Sequence, residues 1–159
     1  MTKEKIKDNA ENIMRKVKVE KIVLSVSGTA DKLEKGLKII ERITGKKATR
    51  RSSRKRIPSL GVRPGLEVGA MVTIRGDEAV EMLRRLLHSV DNQLRRKQLT
   101  ENSFTFGIKE YIEIPGMQYQ RDIGIIGLDV SVSFVRAGRR VALKKIKAGR
   151  LPKKQAVSP

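Results

Sequence analysis

The chain is 159 residues long, carries 36 Lys and Arg against 17 Asp and Glu for a formal net charge of +19, and has no cysteine. That length fits one domain with a real core, and the missing thiols exclude disulfides and thiolate metal sites and fit a reducing, cytoplasmic interior. The charge points to a polyanionic partner, because so cationic a body repels itself unless it is neutralised, and nucleic acid gains from releasing condensed counterion.

The N-terminal stretch MTKEKIKDNAEN is charged throughout, so it is not a secretory signal, and residues 1–16 read as a polar, flexible arm. No apolar run approaches the roughly 18 residues that span a bilayer. No segment joins a basic face to bulky aromatics as interfacial helices do, so no membrane partner is expected. From Val17 to Ser27 apolar and polar residues alternate, with a slip near Glu20, and predict a strand ended by Gly28 and Thr29. Leu33, Leu37, Ile40 and Ile43 fall on one stripe of a helix over 30–44, with Gly45 as its stop.

Residues 46–65, KKATRRSSRKRIPSLGVRPG, hold eight basic residues and no acidic one. Pro58, Gly61, Pro64 and Gly65 exclude a long helix there, leaving a basic loop with a short edge strand near Ala48–Ser52. Residues 66–75 alternate as a second strand. Asp77 is a candidate cap for an amphipathic helix running through Val80, Leu83, Leu86, Leu87, Val90 and Leu94 to about Arg96. LTENS reads as a loop. Phe104, Phe106, Ile108, Ile112 and Ile114 predict a third long strand, irregular around Lys109–Tyr111, and residues 125–135 give the clearest period of two. The tail from Arg136 has nine basic residues and no acidic one, and is expected to be disordered away from RNA.

The order β–α–loop–β–α–β–β predicts an α+β fold of two layers, a mostly antiparallel sheet with helices on one face, plus the long basic loop and basic C-terminal tail. The body covers 17–136 with the loop 46–65 inserted, and the tail 137–159. If both helices cover one face, Ser25, Ser27, Thr73, Asp129, Ser131 and Ser133 populate the other, an open polar face able to receive an RNA backbone.

Several blocks now carry a family likeness: RKVKVEKIVLSV, ITGKKATRRSSRKRIPSLGVRPG, VGAMVTIRG, NSFTFGIKEYIEIPGMQY and DIGIIGLDVSVSFVRAG, in that order over about residues 12–153. Together they resemble the universal large-subunit ribosomal protein L-five family, in its archaeal and eukaryotic branch. The resemblance implies a structural constituent of the large ribosomal subunit. Its partners would be 5S rRNA, large-subunit rRNA and other proteins of the central protuberance, P-site tRNA reached by a long loop, and a small-subunit head protein. Carried onto this chain, the resemblance puts 5S-facing positions at Ser25, Gly45–Lys47 and Thr73, and the tRNA-facing loop at about Arg54–Pro64. At Ser25 many members have Asn, in an N-x-G-x-G stretch that here reads S-V-S-G, and at Lys46 many have Gln. A hydroxyl and an ammonium still bond RNA there, with altered chemistry. Past LPKK the family continues with a basic segment and a helix, where this chain reads QAVSP.

The rRNA-binding candidates are therefore Ser25, Ser27, Gly45, Lys46, Lys47, Arg50, Arg51, Thr73, Arg139, Arg140, Lys144 and Lys145. The tRNA-facing candidates are Arg54, Lys55, Arg56, Ile57, Pro58 and Arg63. Such cations position a protein on phosphates rather than read sequence. The bland alternatives are a solvated basic turn and a solubility tail. NSFTFG faintly resembles the RNP-type strand of RNA-recognition domains but lacks its leading basic-Gly pair. A rival free-standing module of that type would stack bases on Phe104 and Phe106, whereas same-side Phe residues on a strand are ordinarily core. The single histidine, His88, has no partner suggesting a metal or a Ser-His-Asp arrangement. Gly124, Gly127 and Gly138 form no dinucleotide fingerprint, and there is no Walker loop. No cofactor, no metal and no enzymatic activity are expected.

Overall fold

A computed structural model describes residues 13–157. Residues 1–12 of the predicted arm lie outside the described residues, and Ile13–Arg15 form a 3-10 turn. The fold is an open six-stranded sheet with helices on one face, the α+β two-layer arrangement that the chain order predicts. Its strands are β1 (Lys18–Ser27), β2 (Thr49–Ser52), β3 (Glu67–Ile74), β4 (Leu99–Thr100), β5 (Ser103–Ile108) and β6 (Leu128–Val135), in the spatial order β2-β3-β1-β6-β5-β4. Every neighbouring pair is antiparallel. The helices are α1 (Asp31–Thr44), α2 (Asp77–His88) and a single turn, α3 (Arg140–Leu143).

Period-two patterning decides which face is covered. Ile22, Leu24 and Val26 of β1, Ala70, Val72 and Ile74 of β3, Phe104, Phe106 and Ile108 of β5, and Leu128, Val130 and Val132 of β6 are all buried. They form one core with Leu33, Ile39, Ile40 and Ile43 of α1 and Ala79 and Leu86 of α2. The slip near Glu20 appears as a register shift between Val19 and Lys21 against β6, the signature of a bulge that keeps both halves of β1 in phase with the core. Gly45 stops α1 in the left-handed region (φ 66°), with its N–H on the Glu41 carbonyl at 2.7 Å.

Four predictions of extent are corrected. First, α2 ends at His88, not near Arg96. The Ser89 hydroxyl bonds the Leu86 carbonyl at 2.7 Å, Asp91 and Asn92 turn left-handed, and the Asn92 N–H caps the Leu87 carbonyl at 3.0 Å. Val90 and Leu94 still pack on the core from the loop, which is why apolar spacing outlasts the helix. Asp77 is the first helical residue rather than the cap, which is Gly76. Second, LTENS is no plain loop: Leu99–Thr100 pair with Ser103–Phe104 in a tight hairpin turned by Asn102 at φ 61°. Third, β5 stops at Ile108. Tyr111–Glu113 form a 3-10 turn that buries the Tyr111 ring, whose hydroxyl accepts the Gln120 N–H at 3.0 Å. Fourth, β6 begins at Leu128, because Gly127 lies tight under the Ile108 and Lys109 carbonyls, where an added Cβ would sit 2.9 and 2.8 Å away.

The end of the described tail lies against the body. Asn102 and Val157 exchange hydrogen bonds (Asn102 N–H to the Val157 carbonyl at 2.9 Å, Val157 N–H to Asn102 Oδ1 at 2.7 Å), and Gln155 Nε2 donates to the Ala137 carbonyl.

Gly36 sits where α1 crosses β1. An added Cβ there would lie 2.7 Å from Cγ1 of the buried Val26. Helix propensity favours Ala over Gly by about 1 kcal/mol, whereas overpacking a tight core costs about 1–3 kcal/mol. Because Val26 is a stiff β-branched side chain inside the sheet, the clash wins. Gly36→Ala is therefore expected to lower the urea midpoint, and a raised midpoint would show that the helix lifts off the sheet freely.

Candidate nucleic-acid interface

The uncovered face of the sheet is built from the alternate residues of the same strands. Its cross-strand rows follow from the register. One row reads Thr49, Met71, Ser25, Asp129, Gly107, and the next Thr73, Val23, Ser131, Thr105. Ser27 continues the face opposite Gly69 and Arg51, and Ser133 opposite Lys21 and Ser103. These side chains are small and mostly uncharged, so another chain can approach the sheet closely at little cost in desolvated charge. Ser25, Ser27, Thr73, Asp129, Ser131 and Ser133 all lie on this face, and among the described residues no aromatic shares it.

Charge borders the face instead of covering it. At the β2 edge, Lys46, Lys47, Thr49, Arg51, Met71 and Thr73 line a shallow depression, which brings four of the predicted positions together next to Ser25. Beyond it, β2 and β3 run on as a hairpin. Ser53 and Leu66 are joined by an N–H to carbonyl bond of 2.8 Å, and Ile57 and Val62 close the end reciprocally at 2.9 and 3.1 Å. Pro58–Leu60 form a 3-10 turn, and Gly61 (φ 64°) reverses the chain. Arg54, Lys55, Arg56 and Arg63 are exposed on this hairpin, and at its tip Leu60 and Ile57 expose apolar surface. The predicted loop is thus a closed structure that displays cations at set positions.

Not every predicted cation joins this group. Arg50 turns to Glu67, Nη1 to Oε2 at 2.8 Å, and Lys46 pairs with Glu78. Arg139 pairs with Glu20 near the start of β1, at the far end of the sheet from the hairpin. The strand between Glu20 and Ser27 spans roughly 20 Å at the usual rise per residue. Arg140, Lys144 and Lys145 are exposed in that distal region. The predicted cations therefore fall in two basic zones, one at each end of the strands. Glu20, Glu67, Glu78 and Asn102 position these zones and escaped the sequence reading. Only Asn102 had a local signal, since Asn tolerates a left-handed turn.

Phe104 and Phe106 stack on each other with ring centroids 5.9 Å apart, and Phe104 also meets Phe134 at 5.5 Å. Both lie on the helix side and are 6% and 3% exposed, so they are core. His88 is exposed at the end of α2, and among the described residues no three metal-ligating side chains cluster. Among the described residues no helix is long and apolar enough to cross a membrane.

A family model for the C-terminus of the ribosomal L-five family matches residues 67–155. The chain is also similar to proteins named large ribosomal subunit protein uL5. That of Nanoarchaeum equitans is 38% identical over 144 residues, 89% of this chain and 85% of that protein. That of Methanosphaera stadtmanae is 34% identical over 150 residues, 92% and 89%. That of Nitrosopumilus maritimus is 39% identical over 131 residues, 80% and 76%.

Two outcomes test this geometry. Phe104→Ala is expected to cost about 3–5 kcal/mol of unfolding free energy while leaving the salt dependence of RNA binding unchanged; a flattened salt dependence with full stability would put the ring at the interface. Glu67→Gln with Glu78→Gln removes two exposed carboxylates that compete for Arg50 and Lys46. Exposed pairs stabilise by no more than about 1 kcal/mol, so the fold should hold. RNA affinity should rise about fivefold per charge at low salt, from the ~1 kcal/mol that a unit charge at 4 Å is worth in water. Unchanged affinity in a filter-binding titration would separate these cations from the interface.

Proposed function

The chain belongs to the uL5 family of large-ribosomal-subunit proteins, and on that premise we propose that its open sheet face and basic hairpin hold 5S rRNA and large-subunit rRNA in the central protuberance. As a family member it is a structural, non-enzymatic component of the large subunit, and its working place is the ribosome. In the finer reading, Ser25, Gly45, Lys46, Lys47 and Thr73 meet 5S rRNA, and Ser27, Arg50 and Arg51 make further rRNA contacts. The hairpin residues Arg54, Lys55, Arg56, Ile57, Pro58 and Arg63 reach the P-site tRNA. Arg139, Arg140, Lys144 and Lys145 meet rRNA at the far end, and a further contact reaches a protein of the small-subunit head.

The observation that carries this reading is the depression lined by Lys46, Lys47, Thr49, Arg51 and Thr73 at the rim of a face of small, mostly uncharged side chains. Cations at a rim draw phosphates to the edge by counterion release. The small side chains inside leave room for sugars and bases, the parts of RNA that distinguish one molecule from another. The closed hairpin supports the tRNA contact: its backbone bonds and Pro58 lower the entropy lost when the tip is ordered on a partner. The sheet-face module of the RNA-recognition type lacks support, since it needs aromatics on the open face and both strand phenylalanines are core.

The test is recovery of bound RNA from a cell extract at moderate salt, followed by sequencing. Enrichment of 5S rRNA over other small RNAs is the expected result, and equal recovery of all of them would reduce the surface to a non-specific polycation. Arg54→Ala with Arg56→Ala should weaken RNA binding and flatten log K against log salt by about 0.7–0.9 for each phosphate the variant no longer meets. An unaltered slope would remove the hairpin from the interface.

A further inference from the structure

The strands carry only three acidic residues, Glu20 of β1, Glu67 of β3 and Asp129 of β6. Glu20 and Glu67 each hold an arginine. Asp129 has no cation and no hydrogen-bond donor on it among the described residues, and it is exposed in the middle of the open face. It lies directly across from Ser25 on β1 and from Gly107 on β5. The glycine leaves the carboxylate uncovered on that side: a Cβ at position 107 would sit 3.5 Å from Asp129 Oδ1.

A bare carboxylate is out of place on a surface that only neutralises phosphate, because it repels every phosphate near it. It is favourable where the partner presents hydrogen-bond donors, and RNA offers two kinds, ribose 2′-hydroxyls and base N–H groups. Two carboxylate oxygens match two adjacent donors best. Among the four bases, the Watson–Crick edge of guanine has two donors side by side, N1–H and N2–H. In adenine, cytosine and uracil each donor on that edge has an acceptor next to it, which the carboxylate would meet with repulsion. We propose that Asp129 reads an unpaired guanine of the bound RNA through those two donors, with the Ser25 hydroxyl beside it as a second polar contact. The inference rests on the reading that the open face receives 5S rRNA, and it gives that face a specificity-determining residue in addition to its phosphate contacts.

The test compares wild type with Asp129→Asn on a 5S rRNA transcript and on a 20-base-pair RNA duplex without unpaired guanine. If Asp129 is a bystander among phosphates, removing its charge strengthens binding to both RNAs. If it takes a guanine edge, the variant loses affinity for 5S rRNA by roughly ten- to a hundredfold, the range of one good bidentate pair, while duplex binding holds or tightens. The two accounts differ in sign for the same variant. An unchanged urea midpoint, expected for an exposed position, shows that the fold is intact. Kethoxal, which modifies N1 and N2 of unpaired guanine, identifies the base: wild type should protect at least one guanine that Asp129→Asn exposes, with backbone protection by hydroxyl radical unchanged. Equal or tighter 5S binding by the variant overturns the proposal. A loss of affinity with unaltered kethoxal protection overturns the guanine assignment and leaves a ribose hydroxyl as the donor. Wild type binding 5S rRNA no better than the duplex would be a failure of the underlying functional reading, distinct from either.

Discussion

Four long strands each give every second side chain to one core, and two helices close that core from the same side. Twelve strand positions are buried this way, from Ile22 on β1 to Val132 on β6. The alternate positions have no layer to cover them, and an apolar set there would leave a sheet-sized sticky patch. The chain places Ser, Thr and Gly on most of them instead. The same alternation that buries the core therefore creates a flat, wettable face of small, mostly uncharged side chains as its other half. A one-residue slip in any strand would exchange the two sets, which is why the bulge between Val19 and Lys21 matters: it absorbs an irregularity in β1 without turning Ile22, Leu24 and Val26 outward.

Most of the positive charge lies outside this face, on elements that regular structure does not claim. The hairpin beyond β2 and β3 and the tail after β6 carry cations in excess, and the few acids near them are spent on orientation. Glu67 aligns Arg50, Glu78 holds Lys46 and Glu20 holds Arg139. Pairs this exposed add little to stability, and each carboxylate competes with phosphate for the cation it holds. A polyanion entering this surface would have to displace a weak carboxylate partner at Lys46, Arg50 and Arg139.

Much of this was legible from residues alone, because the strongest patterns have a period. β1, β3 and β6 follow from alternation, α1 from its stripe and its glycine stop, and the open-face residues from parity once both helices are put on one side. What escaped depended on contacts distant in sequence. Val90 and Leu94 extend the helical spacing of α2 because the loop after it also packs on the core, so spacing overstates the helix. Ile112 and Ile114 alternate like a strand, but the buried ring of Tyr111 and the tight passage of Gly127 end the ladder at Ile108. The ion pairs of Glu20 and Glu78 link residues 119 and 32 positions apart, and no local pattern encodes such a choice. The docking of the tail on Asn102 is hidden for the same reason.

The separation of the two basic zones sets a condition on what can neutralise them. Roughly 20 Å of strand lies between Glu20 and Ser27, more than twice the screening length of about 8 Å at physiological salt. Charges at one end are therefore nearly invisible at the other, and each zone has to be met by its own phosphates. A short flexible oligonucleotide that satisfied the hairpin would leave the tail end uncompensated. An anion that is both extended and held in shape suits the two ends and the mostly uncharged face between them, and a folded RNA body has that property. The sheet face would let such a body come close: with side chains no larger than Met71 along its central row, the sheet itself, rather than a fringe of long cations, is the surface open to shape matching under the proposed function.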